Sequence, residues 1–223
     1  MMPINMRIMV SLAAVALAFQ PVSASAEGTA KELAKRALHA CEQGRSATDR
    51  HVRLAHFQDG QALAEQAVSS DDQSADAHFA LFCNLGEQLR LDGESVTSVF
   101  GFRKMMSELD RTLELDPSHI DAISAKGTLL VKLPGLMGGD VEKGEQLLQQ
   151  VVSQAPKSVN ARLVLAKVRC ERGHHHEAMM LASDALAIAK KHKKATFIPE
   201  ASAVLEHVRT KGIKATTASY NPR

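Results

Sequence analysis

The chain has 223 residues, 45% of them hydrophobic, with a formal net charge of +2. That balance suits one globular domain or a short repeat array, and it creates no global field to draw in a polyanion. Aromatics make up 4%, with no Trp and one Tyr, so the stacking platforms of a nucleic-acid binder are scarce and that class of partner is excluded.

The first element is a leader. Arg7 supplies a positive start, and Ile8 to Phe19 is an apolar run too short to span a bilayer. Pro21 follows, and Ala24-Ser25-Ala26 gives a small-x-small cleavage pattern. The expectation is a cleaved signal peptide over 1–26, a mature chain from Glu27, and a periplasmic or secreted location. No Cys stands near the cleavage point to carry a lipid, and no later run is apolar enough to insert stably in a membrane.

After the leader, nearly every stretch between breakers reads as helix. Ala and Leu abundance favours helices over strands. Leu33, Ala34, Ala37, Leu38 and Cys41 fall at the 3–4 spacing of one helical face over 30–43. A second helix is expected from about Thr48 to Val68, and a third over 75–91, ended by Asp92-Gly93. Further helices are expected over 95–115, 118–132, 141–154, 158–172, 177–191 and 199–211. Asp116-Pro117, Pro156 and Gly173 separate them, Asp140 stands at an N-cap, and Pro199 opens the last one. The tail over 215–223 is expected to be disordered.

Small residues recur where the two helices of a pair must approach: Gly60, Ala64 and Ala67; Gly127 and Gly144; Ala178, Ala182 and Ala185. The stretch from Pro156 to about Lys190 fits a tetratricopeptide unit of about 34 residues, with Leu165-Ala166 in the Leu-Gly places. The unit before it, Pro117 to Pro156, is about five residues longer than the template, and the one before that, Asp72 to Pro117, about eleven longer. The fold expected is all-α: a tetratricopeptide-like α-solenoid of about three irregular helix pairs, with flanking N- and C-terminal helices. The organisation is a leader over 1–26, flanking helices over 27–57, the repeat array over 58–191, a capping helix over 192–214 and the tail over 215–223.

Two branches of the tetratricopeptide superfamily resemble the chain more closely. Asn84-Leu85-Gly86, Leu113-Glu114-Leu115-Asp116-Pro117 and Leu133-Pro134-Gly135-Leu136-Met137-Gly138-Gly139-Asp140 resemble the periplasmic T-component family of tripartite (TRAP) transporters. The long helix pair and the Leu-Pro loop are similar to the helical domain of the regulator-of-microtubule-dynamics family. Both resemblances imply an all-α repeat protein without chemistry in the repeats, and the first implies a small apolar ligand as an alternative occupant. An exported chain argues against a microtubule role.

Three cysteines, Cys41, Cys83 and Cys170, all fall among apolar neighbours in helical patterns, and none forms a C-x-x-C pair. They are expected to be buried small hydrophobes rather than disulfide partners. His174-His175-His176 cannot converge on one ion, because adjacent helical residues point about 100° apart. Gly138-Gly139-Asp140 opens a helix but lacks the strand and Lys-Ser of a phosphate loop, and Asp140 would repel the phosphate. Lys190-Lys191-His192-Lys193-Lys194 follows a helix end, where cations complement the macrodipole.

These residues predict no catalytic centre, metal or cofactor. The expected function is a binding or scaffold protein that takes a protein or peptide partner in a concave groove. The groove residues chosen are His78, Phe82, Lys126, Leu130, Arg162 and Arg169. The connecting loop with Leu133, Pro134, Leu136, Met137, Gly138, Gly139 and Asp140 is expected to lie across a neighbouring groove, because of its apolar content. An accessory solute-binding component of a periplasmic transport system is the alternative function.

Overall fold

A computed structural model describes residues 23–92 and 98–219, with side chains at 28–91 and 100–213. The described residues form an α-solenoid of stacked helix pairs. Its helices are α1 (Ser23–Ser46), α2 (Arg50–Ser70), α3 (Ala75–Asp92), α4 (Ser98–Leu115), α5 (Ile120–Lys132), α6 (Val141–Gln154), α7 (Val159–Glu171), α8 (His175–Lys191) and α9 (Ile198–Ser219). Helices α1/α2, α3/α4, α5/α6 and α7/α8 are antiparallel pairs, and α9 closes the stack on α7 and α8. The leader's apolar run lies outside the described residues, and Ser23 to Ala26 form the start of α1. Helix α9 reaches Ser219, well past the end expected at Lys211.

Local signals account for most boundaries. The Asp49 carboxylate accepts from the His51 and Val52 N–H groups and starts α2, and Asp140 accepts from the Lys143 N–H and starts α6. Gly173, at φ 83°, turns α7 into α8 through a left-handed conformation that a side chain would disfavour. On α8 the buried residues are Ala178, Ala182, Ala185 and Ala189. That spacing puts four methyl groups on one face and lets α7 and α9 approach closely.

The core runs the length of the stack in three sections. One joins α1 to α4 around Ala64, Leu81 and Met105. A second joins α5, α6 and α7 around Ile123, Leu148 and Leu165. A third joins α7, α8 and α9 around Leu163, Ala182 and Val204. Each fully buried Leu or Val here contributes about 1.5–3 kcal/mol of apolar transfer. The first two sections exchange side chains across the α4–α5 turn, where Leu113 reaches the second and Leu129 reaches the first. Polar contacts reinforce that junction: Lys126 Nζ donates to Asp110 at 2.6 Å, and the His119 ring lies 4.7 Å from Phe79.

The cysteine expectation is corrected. Cys41 on α1 and Cys83 on α3 form a disulfide, with Cα atoms 6.5 Å apart and a sequence separation of 42. Cys170 is a free, buried thiol. Both half-cystines are buried with Phe57, in the apolar setting expected of them. The pairing arises because the first helices of consecutive pairs, α1 and α3, lie side by side.

Candidate functional site

First helices approach one another at three of the four steps along the stack. Helix α1 touches α3, α5 touches α7, and α7 touches α9. The second helices meet more through side chains, as where Lys104 Nζ on α4 donates to Glu65 on α2 at 2.9 Å. The solenoid is therefore tighter on the side of the first helices, which makes that side its inner face.

Polar contacts cross this inner face from helix to helix. His119 Nε2, at the N-cap of α5, lies 3.4 Å from Asp76 Oδ1 on α3. Asn160 Nδ2 on α7 donates to Thr128 Oγ1 on α5 at 3.5 Å, and Lys167 Nζ on α7 donates to Glu200 on α9 at 2.9 Å. Lys132, one turn beyond Thr128, stands near Lys167 and Arg90. Burial pulls its ammonium below the usual lysine range, and Lys167 adds to the shift, with Glu200 opposing it. The result is an end with two lysines and Glu200, an excess of one cation, on a face whose middle is a hydroxyl and a carboxamide. Thr128 and Lys132 are one turn apart on α5, and Asn160 and Lys167 two turns apart on α7. That polar spacing is a signal the sequence carries and that the six chosen groove residues missed.

Those six do not form one surface. His78 is buried and faces α4: its Nδ1 lies 2.6 Å from Glu108 Oε2 and its Nε2 lies 3.1 Å from the Asp72 carbonyl oxygen. Arg162 is buried, donates to the Ser158 carbonyl at 2.8 Å, and has its pKa lowered by burial, with Asp184 of α8 opposing the shift. Leu130 is core. Phe82 stacks on Phe79 at 5.7 Å beside the first core section. Lys126 is held by Asp110, and Arg169 lies 3.3 Å from Glu177 and 3.7 Å from Glu145. His78, Lys126 and Arg169 serve the seams between helices. One residue on a helix is about 100° of rotation, so a small error of register turns a groove position into a seam position.

Two open cavities lie outside the inner face. One, of about 570 Å³, is bounded by α4 and the α2–α3 turn, with Asp72, His78, Arg103, Glu108 and Arg111 on its walls. Both ring nitrogens of His78 lie within hydrogen-bond reach of acceptors there. The other, of about 580 Å³, lies along α6 and the end of α7, with Glu145, Gln149, Arg169 and Arg172. Arg172 Nη1 lies 2.7 Å from the buried Glu145 carboxylate. Both cavities have charged walls, which suits polar contacts better than a small apolar guest.

The connecting loop does not lie across a groove, contrary to expectation. Residues Gly135–Met137 form a 3₁₀ turn. The loop closes on itself: Met137 N–H and Gly139 N–H both donate to the Pro134 carbonyl, and Asp140 N–H donates to Leu130. A Cβ on Gly139 would collide with the Leu133 carbonyl, which is why a glycine stands there. With its backbone satisfied internally, the loop projects, and Leu136 is 104% exposed. Elsewhere, His174 and His176 point to solvent while His175 Nδ1 lies 3.8 Å from Cys170 Sγ. Lys194 Nζ donates to the Lys157 carbonyl at 3.1 Å. Among the described residues no group of three or more His, Cys, Asp or Glu side chains is arranged to hold a metal ion, and no helix is long and apolar enough to cross a membrane.

No family model matches the chain, and no curated protein matches it. Solved structures do. MamA RS-1, an ArsTM double mutant, is 13% identical with a TM-score of 0.48, covering 87% of this chain and 97% of that one. MamA AMB-1 is 19% identical with a TM-score of 0.43, covering 85% of this chain and 94% of that one.

Proposed function

We infer that this chain is an exported, non-catalytic scaffold that holds a segment of another protein against the inner face of α3, α5 and α7. The observation that supports this reading most is the line of Thr128, Lys132, Asn160 and Lys167 across two adjacent first helices. A hydroxyl and a carboxamide can hydrogen-bond an extended backbone, and the two ammonium groups favour an acidic side chain or terminus. Lys132, pushed down by burial and by Lys167, would gain from an added carboxylate. Export is supported by the Cys41–Cys83 disulfide, a bond that persists in oxidising compartments, and by the leader pattern ahead of Glu27.

The test is capture of partners from a periplasmic extract by the chain starting at Glu27, beside a Lys132→Glu/Lys167→Glu variant. Both lysines are outside the core, so the variant should fold. Recovery of a discrete partner by the parent and its loss in the variant is the expected result. Equal recovery by both, or no discrete partner, counts against the inner face. An accessory role in solute uptake is the second reading, favoured by the projecting loop around Leu136 and Met137. In that case a transporter subunit, and not a soluble protein, would be recovered, and deletion of the two loop residues would abolish its capture.

A further inference from the structure

All eight large apolar side chains that stay exposed among the described residues lie along one edge of the solenoid. The edge is where each first helix turns into its second. Val52 is on the first turn of α2, Phe100 on the first turn of α4, and Leu136, Met137 and Val141 surround the start of α6. Met179 and Met180 are on the second turn of α8. Ile213 belongs to the same edge, because its neighbour Gly212 on α9 lies against His175, the first residue of α8. The opposite edge, made of the turns at 71–74, 116–119, 155–158 and 192–197, exposes no large apolar side chain among the described residues. Scattered single exposed apolar residues need no explanation, but confinement of the whole set to one edge does.

The charges beside these residues favour one occupant. Arg50 and Arg53 flank Val52, Arg103 follows Phe100, Lys143 follows Val141, and Lys211 precedes Ile213, while Lys104 is paired with Glu65. Of the acids at the same turns, Asp49 and Asp140 are committed as helix caps and Glu177 is paired with Arg169. Glu42, Glu142 and Glu171 remain, fewer than the Lys and Arg side chains around them. A second copy is a poor partner, since two such edges would oppose cation to cation, and side chains separated by whole helix pairs cannot form the closed apolar centre of a stable protein interface. A bilayer surface has neither problem. Its fluid interface admits separate apolar tips, and anionic headgroups complement the Lys and Arg between them. We propose that this edge docks the protein, peripherally and reversibly, on an anionic membrane surface, with Leu136, Met137 and Phe100 entering the interfacial layer.

The docking edge is separate from the inner face, so the two readings fail separately. The experiment is co-sedimentation of the chain starting at Glu27 with vesicles of phosphatidylcholine alone or mixed with phosphatidylglycerol. Binding is expected to the mixed vesicles only, and to fall as salt is raised. Leu136→Ser/Met137→Ser and Lys143→Glu/Lys211→Glu should each lower the partition coefficient about tenfold or more. All four side chains are exposed, and circular dichroism of each variant shows whether the fold survives. Binding to neutral vesicles alone, no binding, or binding that folded variants leave unchanged would overturn the proposal. So would a concentration-dependent dimer that the edge variants abolish, since that would assign the edge to a second copy.

Discussion

Gly127 and Gly144 hold α5 and α6 backbone to backbone: a Cβ built on Gly144 would stand 2.8 Å from the Gly127 carbonyl oxygen and 2.7 Å from Val131 Cγ2. Neither neighbour can give way, since one is backbone and the other is fixed by its own helix. Gly144→Ala should therefore force the pair apart and cost about 1–3 kcal/mol, despite the better helix propensity of alanine. For a chain of this length that is a fall in Tm of several degrees, read by calorimetry. A Gly28→Ala control, where a Cβ would meet nothing within 4 Å, should leave Tm unchanged or slightly raised. An equal response at both sites would rule out the close approach.

The disulfide gives the second prediction. Cys41–Cys83 closes a long loop between α1 and α3, and the chain-entropy estimate for a separation of 42 residues is about 4 kcal/mol. Reduction, or Cys83→Ala, should lower the urea midpoint substantially. The third thiol is a built-in check. Burial pushes the Cys170 thiol up, with Lys211 opposing the shift, so it should resist alkylation in the native protein. One label per chain should appear on unfolding without reductant, and three with it. Three labels without reductant would mean that the bridge does not form.

What the sequence made legible here was the local part. Helix spacing, the Asp140 cap, the Gly173 turn and the small residues at pair contacts are all decided within a few positions, and each stands where its chemistry requires. The pairing of Cys41 with Cys83 was not legible, because all three cysteines share the same apolar helical setting. Which two meet depends on the lateral stacking of α1 on α3. The inner face was lost for a related reason. His78 and Arg162 carry groove-like chemistry, but a rotation of about one residue directs them at Glu108 and towards Asp184. The loop around Leu136 was misread because its composition suggested burial, while its backbone bonds make it self-sufficient.

Acid should destabilise the fold through its capping and bridging carboxylates. Hydrogen bonds from the Val52 and His51 N–H groups lower Asp49, the Ser118 hydroxyl and N–H lower Asp116, and Gln61 and Lys104 lower Glu65. In each case the folded pKa lies below the unfolded one. The associated stability is therefore complete above the ordinary carboxylate range, near pH 4, and is lost as pH falls through the folded values. Tm should decline from about pH 5 downward. In an Asp49→Ala/Asp116→Ala variant the Tm at neutral pH should be lower and the acid slope shallower. An unchanged slope would mean that other carboxylates set the acid limit.

The buried Glu145 carboxylate tests how the third and fourth pairs are joined. Its Oε2 lies 2.7 Å from Arg172 Nη1, while its Oε1 and Arg169 Nε, 3.7 Å apart, have no hydrogen-bond partner. Removing the carboxylate leaves Arg172 without its partner and Arg169 with Glu177 alone, so Glu145→Ala should cost about 1–3 kcal/mol. Glu145→Gln keeps the shape and one acceptor and should cost less. Because Arg172 is half open to solvent, Arg172→Ala alone should be milder than loss of the acid. A double-mutant cycle in urea separates these terms. Coupling between positions 145 and 172 of about 1 kcal/mol is expected, and additivity within error would show that the pair contributes only packing. The same variants read out the seam between α6 and α7 without touching Lys132 or Lys167. A Glu145 variant that is less stable yet still captures the partner would separate the joint between repeats from the surface that binds.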